Sequence, residues 1–451
     1  MIIPNKIEDP NYIINKKISI LIKKLNRYEF KRSPKYILFF DFINSPVCTD
    51  KNSFILFQEF QSNNDNNSYY IINEKSDLYK SLLTKNQTQN IIPFKNYIYI
   101  DDLFPYLLNS KIIVQSYALY EFQTIVSNVN YLKFLYLCHA VNYFKKNQIK
   151  VELLKLKEDK KNIILTSPYE YKLYSKMNLY SEKSMHKAGL PRYERFKIKK
   201  GTTYKDKNCI LTSFTYRSFN NSIYVKSLFR NNLVNLMKDE SLISFLEEKN
   251  INLIYIPHHH DEIRNRNLKK NEFPKIIIAE QNLLSYYIER CSLLITDFSS
   301  ISFDFMFQNK PVLFYFIDVN DKYDFQEKSY MSIEKDNSIY FENVFYEKNS
   351  LIKNIKYYVN RNFRLSNGLS KKYKTLFYNK ENIIKNIINI INNFLVKFKR
   401  FLINFIFLIL NLLTEKKIFI FSIASASVKF KGLSALPLFN FIKYSSIVLV
   451  L

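Results

Sequence analysis

The sequence predicts an α/β protein: two doubly wound, Rossmann-like halves in series that face a cleft, then an apolar, basic helical extension. Three observations predict it. Short apolar runs alternate with helix-spaced patterns, the signature of βαβ units and parallel sheets. The alternation occurs twice, with a join near residues 195–205. The 451 residues are 47% hydrophobic and 24% charged, a globular composition with length for two or three domains.

In chain order, residues 1–30 form a helical lead-in, with Ile13, Ile14, Ile18, Leu21, Ile22 and Leu25 near helical spacing. The first α/β half, 31–200, has candidate strands Tyr36–Phe42, Tyr69–Ile72, Tyr97–Ile100, Lys111–Val114, Phe134–Cys138 and Asn162–Thr166. Asn52–Phe60 and Ser76–Leu83 read as helices between them. The second half, 201–393, begins with strand Cys209–Phe214, continues as helix through most of Ser222–Asn250, and returns to strands at Asn252–Ile256, Leu293–Thr296 and Val312–Ile317. Asp324–Tyr346 reads as irregular, and helices resume at Ser350–Arg361 and about Lys371–Asn393.

The tail, 394–451, is apolar but broken by lysines. Phe401–Leu413 falls short of the ~20 residues a spanning helix needs, and Pro437 and Lys443 interrupt Leu433–Leu451. An interfacial helix with snorkelling basic residues fits better than a span; a covering element of the core is the other reading.

Composition excludes several classes. The four glycines, Gly189, Gly201, Gly368 and Gly432, stand too far apart for a P-loop, a dinucleotide fingerprint or a nucleophile elbow. Cys48, Cys138, Cys209 and Cys291 make no CxxC pair, and four scattered cysteines are no disulfide framework. The first ten residues lack the apolar core of an export signal. Cysteine usage and this start together point to the cytoplasm. The formal charge of +27 suits a polyanionic partner or a solvated basic surface.

Four constellations stand out. Leu293–Met306 reads as a buried strand ending at Thr296 and Asp297, then Ser299 and Ser300 opening a helix. Serines there serve equally as caps or as donors to a phosphate. In Asn252–Glu262 a strand ends at Pro257 and presents His258, His259 and His260. Consecutive histidines cannot all face one ion, so a solvated loop is favoured over a metal. His139 ends the run from Phe134; a lone histidine is more often core, yet it gives each half one histidine at a strand's carboxyl end. Arg192, on a Gly-Leu-Pro-Arg turn near the join, and Arg217, beyond Cys209–Phe214, are surface charges or bidentate phosphate ligands.

Taken together, these segments resemble the CDP-glycerol glycerophosphotransferase family of teichoic-acid polymerases and primases. "LITDFSSISFDFMFQNKPVLFY" at 294–315 is similar to the family's Thr-Asp-Tyr-Ser-Ser signature and Lys-Pro-Val strand. "YIPHHH" resembles its Pro-His-Pro position, "LYLCHAVNYFK" its His-Gly segment, "KAGLPRYERF" its Gly-x-Pro-Arg-x-Asp segment, and "ILTSFTYR" its Ala-Pro-Thr-x-Arg strand. The likeness runs in order through about 35–393. Ala140 replaces the family's Gly, His259 and Phe214 its Pro, and Glu194 its Asp.

The resemblance implies a GT-B fold with an acceptor-side first domain and a CDP-donor-binding second domain. It makes His139 the general base and His258 a ligand of the donor diphosphate. Thr296, Asp297, Ser299 and Ser300 would line the nucleotide-phosphate pocket, with Arg217 and Arg192 as further donor contacts. An acceptor hydroxyl would attack the distal phosphorus of CDP-glycerol or another CDP-alditol, releasing CMP. No metal and no resident cofactor are expected, since the chain lacks the Asp-x-Asp triplet of metal-dependent glycosyltransferases. The expected acceptor is lipid-linked or polymeric, with the protein docked on the inner, anionic membrane face. Rival readings are a nucleotide-sugar GT-B glycosyltransferase, a catalytically dead binding module of the same cleft, and a nucleic-acid binder. No RRM, KH or zinc signature supports the last, so no nucleic-acid partner is expected.

Overall fold

The computed structural model describes residues 9–28, 35–44, 51–63, 65–117, 119–138, 140–141, 156–157, 160–176, 178, 180–196, 208–215, 223–258, 273, 275–317, 343–378 and 380–395. The chain divides into two compact units, Met1–Asn392 and Asn393–Leu451. Both sheets lie in the first. The extension expected over 394–451 falls almost wholly outside the described residues. Among the described residues no helix is long and apolar enough to cross a membrane.

The first sheet has seven strands: β1 (Tyr36–Phe40), β2 (Ser68–Asn73), β3 (Ile91–Phe94), β4 (Ser110–Gln115), β5 (Lys133–Tyr136), β6 (Ile163–Leu165) and β7 (Met185–Lys187). Their spatial order is β3-β2-β1-β4-β5-β6-β7. The second holds six: β8 (Cys209–Thr212), β9 (Asn252–Tyr255), β10 (Ile276–Ile278), β11 (Leu293–Thr296), β12 (Val312–Tyr315) and β13 (Val344–Phe345), ordered β10-β9-β8-β11-β12-β13. Every pairing is parallel. Each sheet is therefore doubly wound, and its order reverses once: between β1 and β4, and between β8 and β11. Loops leaving a reversal point diverge to opposite faces, which opens a crevice at the carboxyl ends of the strands.

Continuous apolar strands follow from burial on both faces. β8, β11 and β12 are buried along their whole length. Behind the second sheet, Leu233, Leu246, Leu351 and Ile355 pack against Ile210, Leu253 and Leu293. Helix starts carry their expected caps: Asp9 accepts from the Asn11 N–H before Pro10, Ser76 from Tyr79, Asp239 from Leu242, and Ser366 from Leu369.

Of Asp324–Tyr346, expected to be irregular, 324–342 lie outside the described residues and Val344–Phe345 is strand β13, paired with β12. Two further expectations need correction. Tyr97–Ile100 is not a strand but part of a 3-10 helix, Tyr97–Leu103, opened by Asn96, whose side chain accepts from the Ile98 N–H at 2.9 Å. That local bond outcompetes the strand propensity of the Tyr-Ile-Tyr-Ile run. The sheet edge is formed earlier, by β3. Its outward-facing positions are Ile91, whose N–H bonds back to the Thr88 carbonyl at 3.0 Å, and Pro93, which has no N–H. The single helix expected over Lys371–Asn393 is two: Asn367–Thr375, then 383–395. Between them the Tyr378 N–H binds the Thr166 carbonyl beyond β6, at 3.0 Å, and Leu376 and Phe377 are buried.

Candidate active site

In the second half the candidate residues sit where the ladder stops. β8 and β11 pair as far as Ile295 opposite Thr212. Beyond that point side chains take over. Thr296 Oγ1 donates to the Ser213 carbonyl at 2.6 Å. Asp297 accepts from the Thr215 N–H at 3.0 Å and from Thr215 Oγ1 at 2.8 Å. Thr296 and Asp297, expected to line a phosphate pocket, are thus fully buried and bonded across the reversal point. They tie the end of β11 to Ser213 and Thr215, the residues that follow β8. Arg217 itself lies outside the described residues. Ser213 and Thr215 gave no signal in the sequence beyond their place after an apolar run.

Ser299 and Ser300 differ from their neighbours. Both are half-buried. Ser300 stands at the N-cap of helix Ile301–Phe307, yet its backbone is already helical and its hydroxyl caps no N–H. The Ser299 carbonyl accepts both the N–H and the hydroxyl of Ser302, at 3.2 and 2.8 Å, and this closes the first turn. Capping therefore does not account for the Ser300 side chain.

His258 follows β9 on the same edge. The ladder extends through Ile256, whose N–H reaches the Thr212 carbonyl at 3.0 Å. Pro257 is buried and His258 half-buried. Because β9, β8 and β11 are adjacent and parallel, His258, Thr215 and the Ser299–Ser300 turn all lie at one end of one sheet. His259 and His260 lie outside the described residues. Among the described residues no group of three or more His, Cys, Asp or Glu could hold a metal ion.

The first half repeats this tie with the roles exchanged. Asp41, buried just after β1, accepts from the Tyr70 hydroxyl at 2.8 Å, from the N–H groups of Ser53 and Phe54, and from the hydroxyl of Ser116 just after β4. Here the carboxylate follows the first strand and the hydroxyl the fourth. In the second half the hydroxyl of Thr215 follows β8 and the carboxylate of Asp297 follows β11. Burial raises the pKa of Asp41 while the four hydrogen bonds oppose the shift.

His139 lies outside the described residues, but the chain entering it is defined. Leu137 and Cys138 are fully buried beyond β5, and Cys138 is left-handed at φ 62. Asn52 Nδ2 donates to the Cys138 carbonyl at 3.2 Å.

Arg192, which the resemblance offers as a donor contact, pairs with Asp304: Nε and Nη2 donate to Oδ1 at 3.0 and 2.8 Å, and Nη2 to Oδ2 at 3.2 Å. The two side chains are only 11% and 4% exposed. Adjoining residues act alike. Tyr193 stacks on Phe307 with centroids 4.3 Å apart and meets Phe377 edge-on. Glu194 Oε2 accepts the Ile383 N–H at 3.1 Å at the start of helix 383–395. Gly189 takes φ 135, where a Cβ would sit 3.2 Å from Ile383. The Gly189–Glu194 segment, leaving β7, thus clamps the first half onto helix Ile301–Phe307, which carries Ser299 and Ser300 at its start. Sequence reasoning found this Arg but not its partner.

Comparison with known proteins follows the same lines. A family model described as CDP-Glycerol:Poly(glycerophosphate) glycerophosphotransferase matches residues 22–391. The minor teichoic acid biosynthesis protein GgaB of Bacillus subtilis (strain 168) is 23% identical over 398 residues, covering 82% of this chain and 41% of GgaB. The chain thus spans less than half the length of that relative. Among solved structures, the wall teichoic acid polymerase TagF superposes with a TM-score of 0.60 at 15% identity, over 86% of this chain and 94% of that one. An S. aureus MnaA–UDP structure superposes with a TM-score of 0.52 at 12% identity, over 80% and 97%. These likenesses establish the architecture as GT-B-like.

Proposed function

Since the chain belongs to the CDP-glycerol:poly(glycerophosphate) glycerophosphotransferase family, we propose that it transfers glycerol phosphate from CDP-glycerol to a hydroxyl acceptor in teichoic-acid-type polymer synthesis. One observation carries the reading: His258 and the Ser299–Ser300 turn share the carboxyl edge of the second sheet, beside its reversal point. A nucleoside diphosphate needs such a place, with a cationic or polar ring and uncommitted hydroxyls over a rigid floor. TagF, the relative in fold, has been solved with CDPG soaked into a variant.

In this reading His139 takes the proton of the acceptor hydroxyl, for which a pKa near neutrality suits imidazole. The oxygen attacks the distal phosphorus of the donor, the bond to CMP breaks, and a phosphodiester forms. His258, Ser299 and Ser300 meet the charge that grows on the departing CMP, with Arg217 as a further donor contact. Thr296 and Asp297 contribute by fixing the floor beneath them. The reading requires no resident cofactor. The basic surface and the tail would hold the protein against an anionic membrane, near a lipid-linked acceptor.

The test is turnover. Purified protein is given CDP-glycerol, CDP-ribitol or a panel of nucleotide sugars with a synthetic lipid-linked glycerol phosphate acceptor, and release of CMP or of other nucleotides is followed. CMP from CDP-glycerol is expected. Release from a nucleotide sugar alone would move the chain to glycosyl transfer.

A further inference from the structure

We propose that Asn52 is a positioning residue for His139, fixing the peptide bond that enters the base and tying it to the Arg192–Asp304 clamp; this rests on the role given to His139 above.

Asn52 opens helix Asn52–Ser62 but does not cap it. The N-cap is Lys51, left-handed at φ 50 and without a side-chain cap bond. The next N–H groups, of Ser53 and Phe54, are taken by Asp41 at 3.0 and 3.1 Å. The Asn52 amide is therefore released from local duty, and it is completely buried. Its two ends reach segments remote in sequence. Nδ2 donates to the carbonyl of Cys138, and Oδ1 accepts the N–H of Arg192 at 3.1 Å. An asparagine amide supplies both donor and acceptor from one planar group, which is what this junction uses.

The carbonyl it holds belongs to the peptide linking Cys138 to His139. A peptide is planar, so holding that oxygen restrains the end of the Cys138 backbone, the last described point before the base. The hold has something to oppose: Cys138 is a side-chain-bearing residue at positive φ, a conformation that persists when its surroundings impose it. The thiol of Cys138 points to the Ile164 carbonyl at 3.7 Å and adds a second restraint. On its other side Asn52 grips the backbone of Arg192, whose guanidinium grips Asp304. One side chain thus links the approach to the base with the helix that carries the two serines.

Asn52→Asp separates this role from packing. It keeps the shape and the acceptor toward Arg192, and it removes the donor toward Cys138. With CDP-glycerol and the lipid-linked acceptor, kcat is expected to fall about 10–100-fold, the loss typical when a supporting hydrogen bond behind a reacting group is removed. KM for the donor is expected to stay within about two-fold. The ratio of variant to wild-type rate should rise as pH falls, because protonating the introduced carboxylate restores a donor; taking the ratio cancels the histidine's own titration. Adding Cys138→Gly should restore part of kcat, since glycine adopts the left-handed region unaided. Wild-type rates in Asn52→Asp, a pH-independent ratio, or kcat and KM changing together would each overturn the proposal. If Asn52→Asp does not fold, the double variant carries the same measurements, and its failure to fold as well would overturn it. Absence of CMP release by the wild type would overturn the role of His139 and this proposal with it; wild-type turnover matched by the variant overturns this proposal alone.

Discussion

Arg192 and Asp304, 112 residues apart in the chain, close a two-pronged ion pair between the segment leaving the first sheet and helix Ile301–Phe307 beside the second. Arg192 is one of two arginines, with Arg217, that the family resemblance offers as donor contacts. Its fork is occupied within the protein, and the pair fixes the helix on which the serines stand.

Asp304→Asn is predicted to cost about 3–5 kcal/mol, the price of leaving one member of a buried pair uncompensated. Urea unfolding with an unchanged m-value would show it. A loss below about 1 kcal/mol would mark the pair as screened, like a surface bridge.

Replacing both Ser299 and Ser300 by Ala should weaken CDP-glycerol binding about ten-fold or more, two hydroxyl contacts to a charged group being worth at least ~1.4 kcal/mol together. Calorimetric titration measures it. Unchanged affinity would remove the serines from the donor site.

The two histidines should separate kinetically. His139→Ala is expected to lower CMP release about 10²–10⁴-fold while CDP-glycerol still binds. His258→Ala should weaken donor binding as well as turnover. If His139→Ala abolishes binding and His258→Ala leaves it intact, the assignments are reversed.

Lys310, in the Lys-Pro-Val segment, is a structural cation with a pH signature. Its ammonium donates to the carbonyls of Ile288 and Glu289 at 3.0 and 2.7 Å, closing helix Leu284–Arg290. Burial pushes its pKa down to about 8. The folded value lies below the unfolded one, so the unfolded chain binds more protons between about pH 8 and 10.5, and stability rises with pH in that window. Relative to Lys310→Met, the wild type should gain about 2–3 kcal/mol across it. A flat difference in denaturation midpoints would refute the shift.

Truncation after Asn393 should leave a folded core that no longer sediments with anionic phosphatidylglycerol vesicles. Continued sedimentation would place membrane contact in the remaining protein.

The central strands were legible because burial on both faces writes itself as an uninterrupted apolar run, as in Leu293–Ile295 or Ile112–Val114. Short edge strands left no such trace: Met185–Lys187, buried only at its first residue, offers no apolar run to read. The Tyr97–Ile100 run misled for the opposite reason, its strand-like residues being recruited by the side chain of Asn96. In the candidate site, the sequence places Ser299, Ser300 and His258 just after strands, and the structure has them there. Asn52 and Asp304 stayed hidden because their partners are fixed by tertiary structure alone. An asparagine at a helix start looks like a cap, and an aspartate four residues after Ser300 looks like a solvated first-turn acid.

The outer flank of β3 has a consequence for how copies of this protein meet at high concentration. Along that strand the residues turned inward are engaged with β2, the Ile91 amide is folded back on Thr88, and Pro93 has no hydrogen to give. A foreign strand arriving there would find acceptors but no donors, so the register of bonds that seeds cross-β stacking cannot start. This rim of the molecule thus withholds every outward donor from templated aggregation.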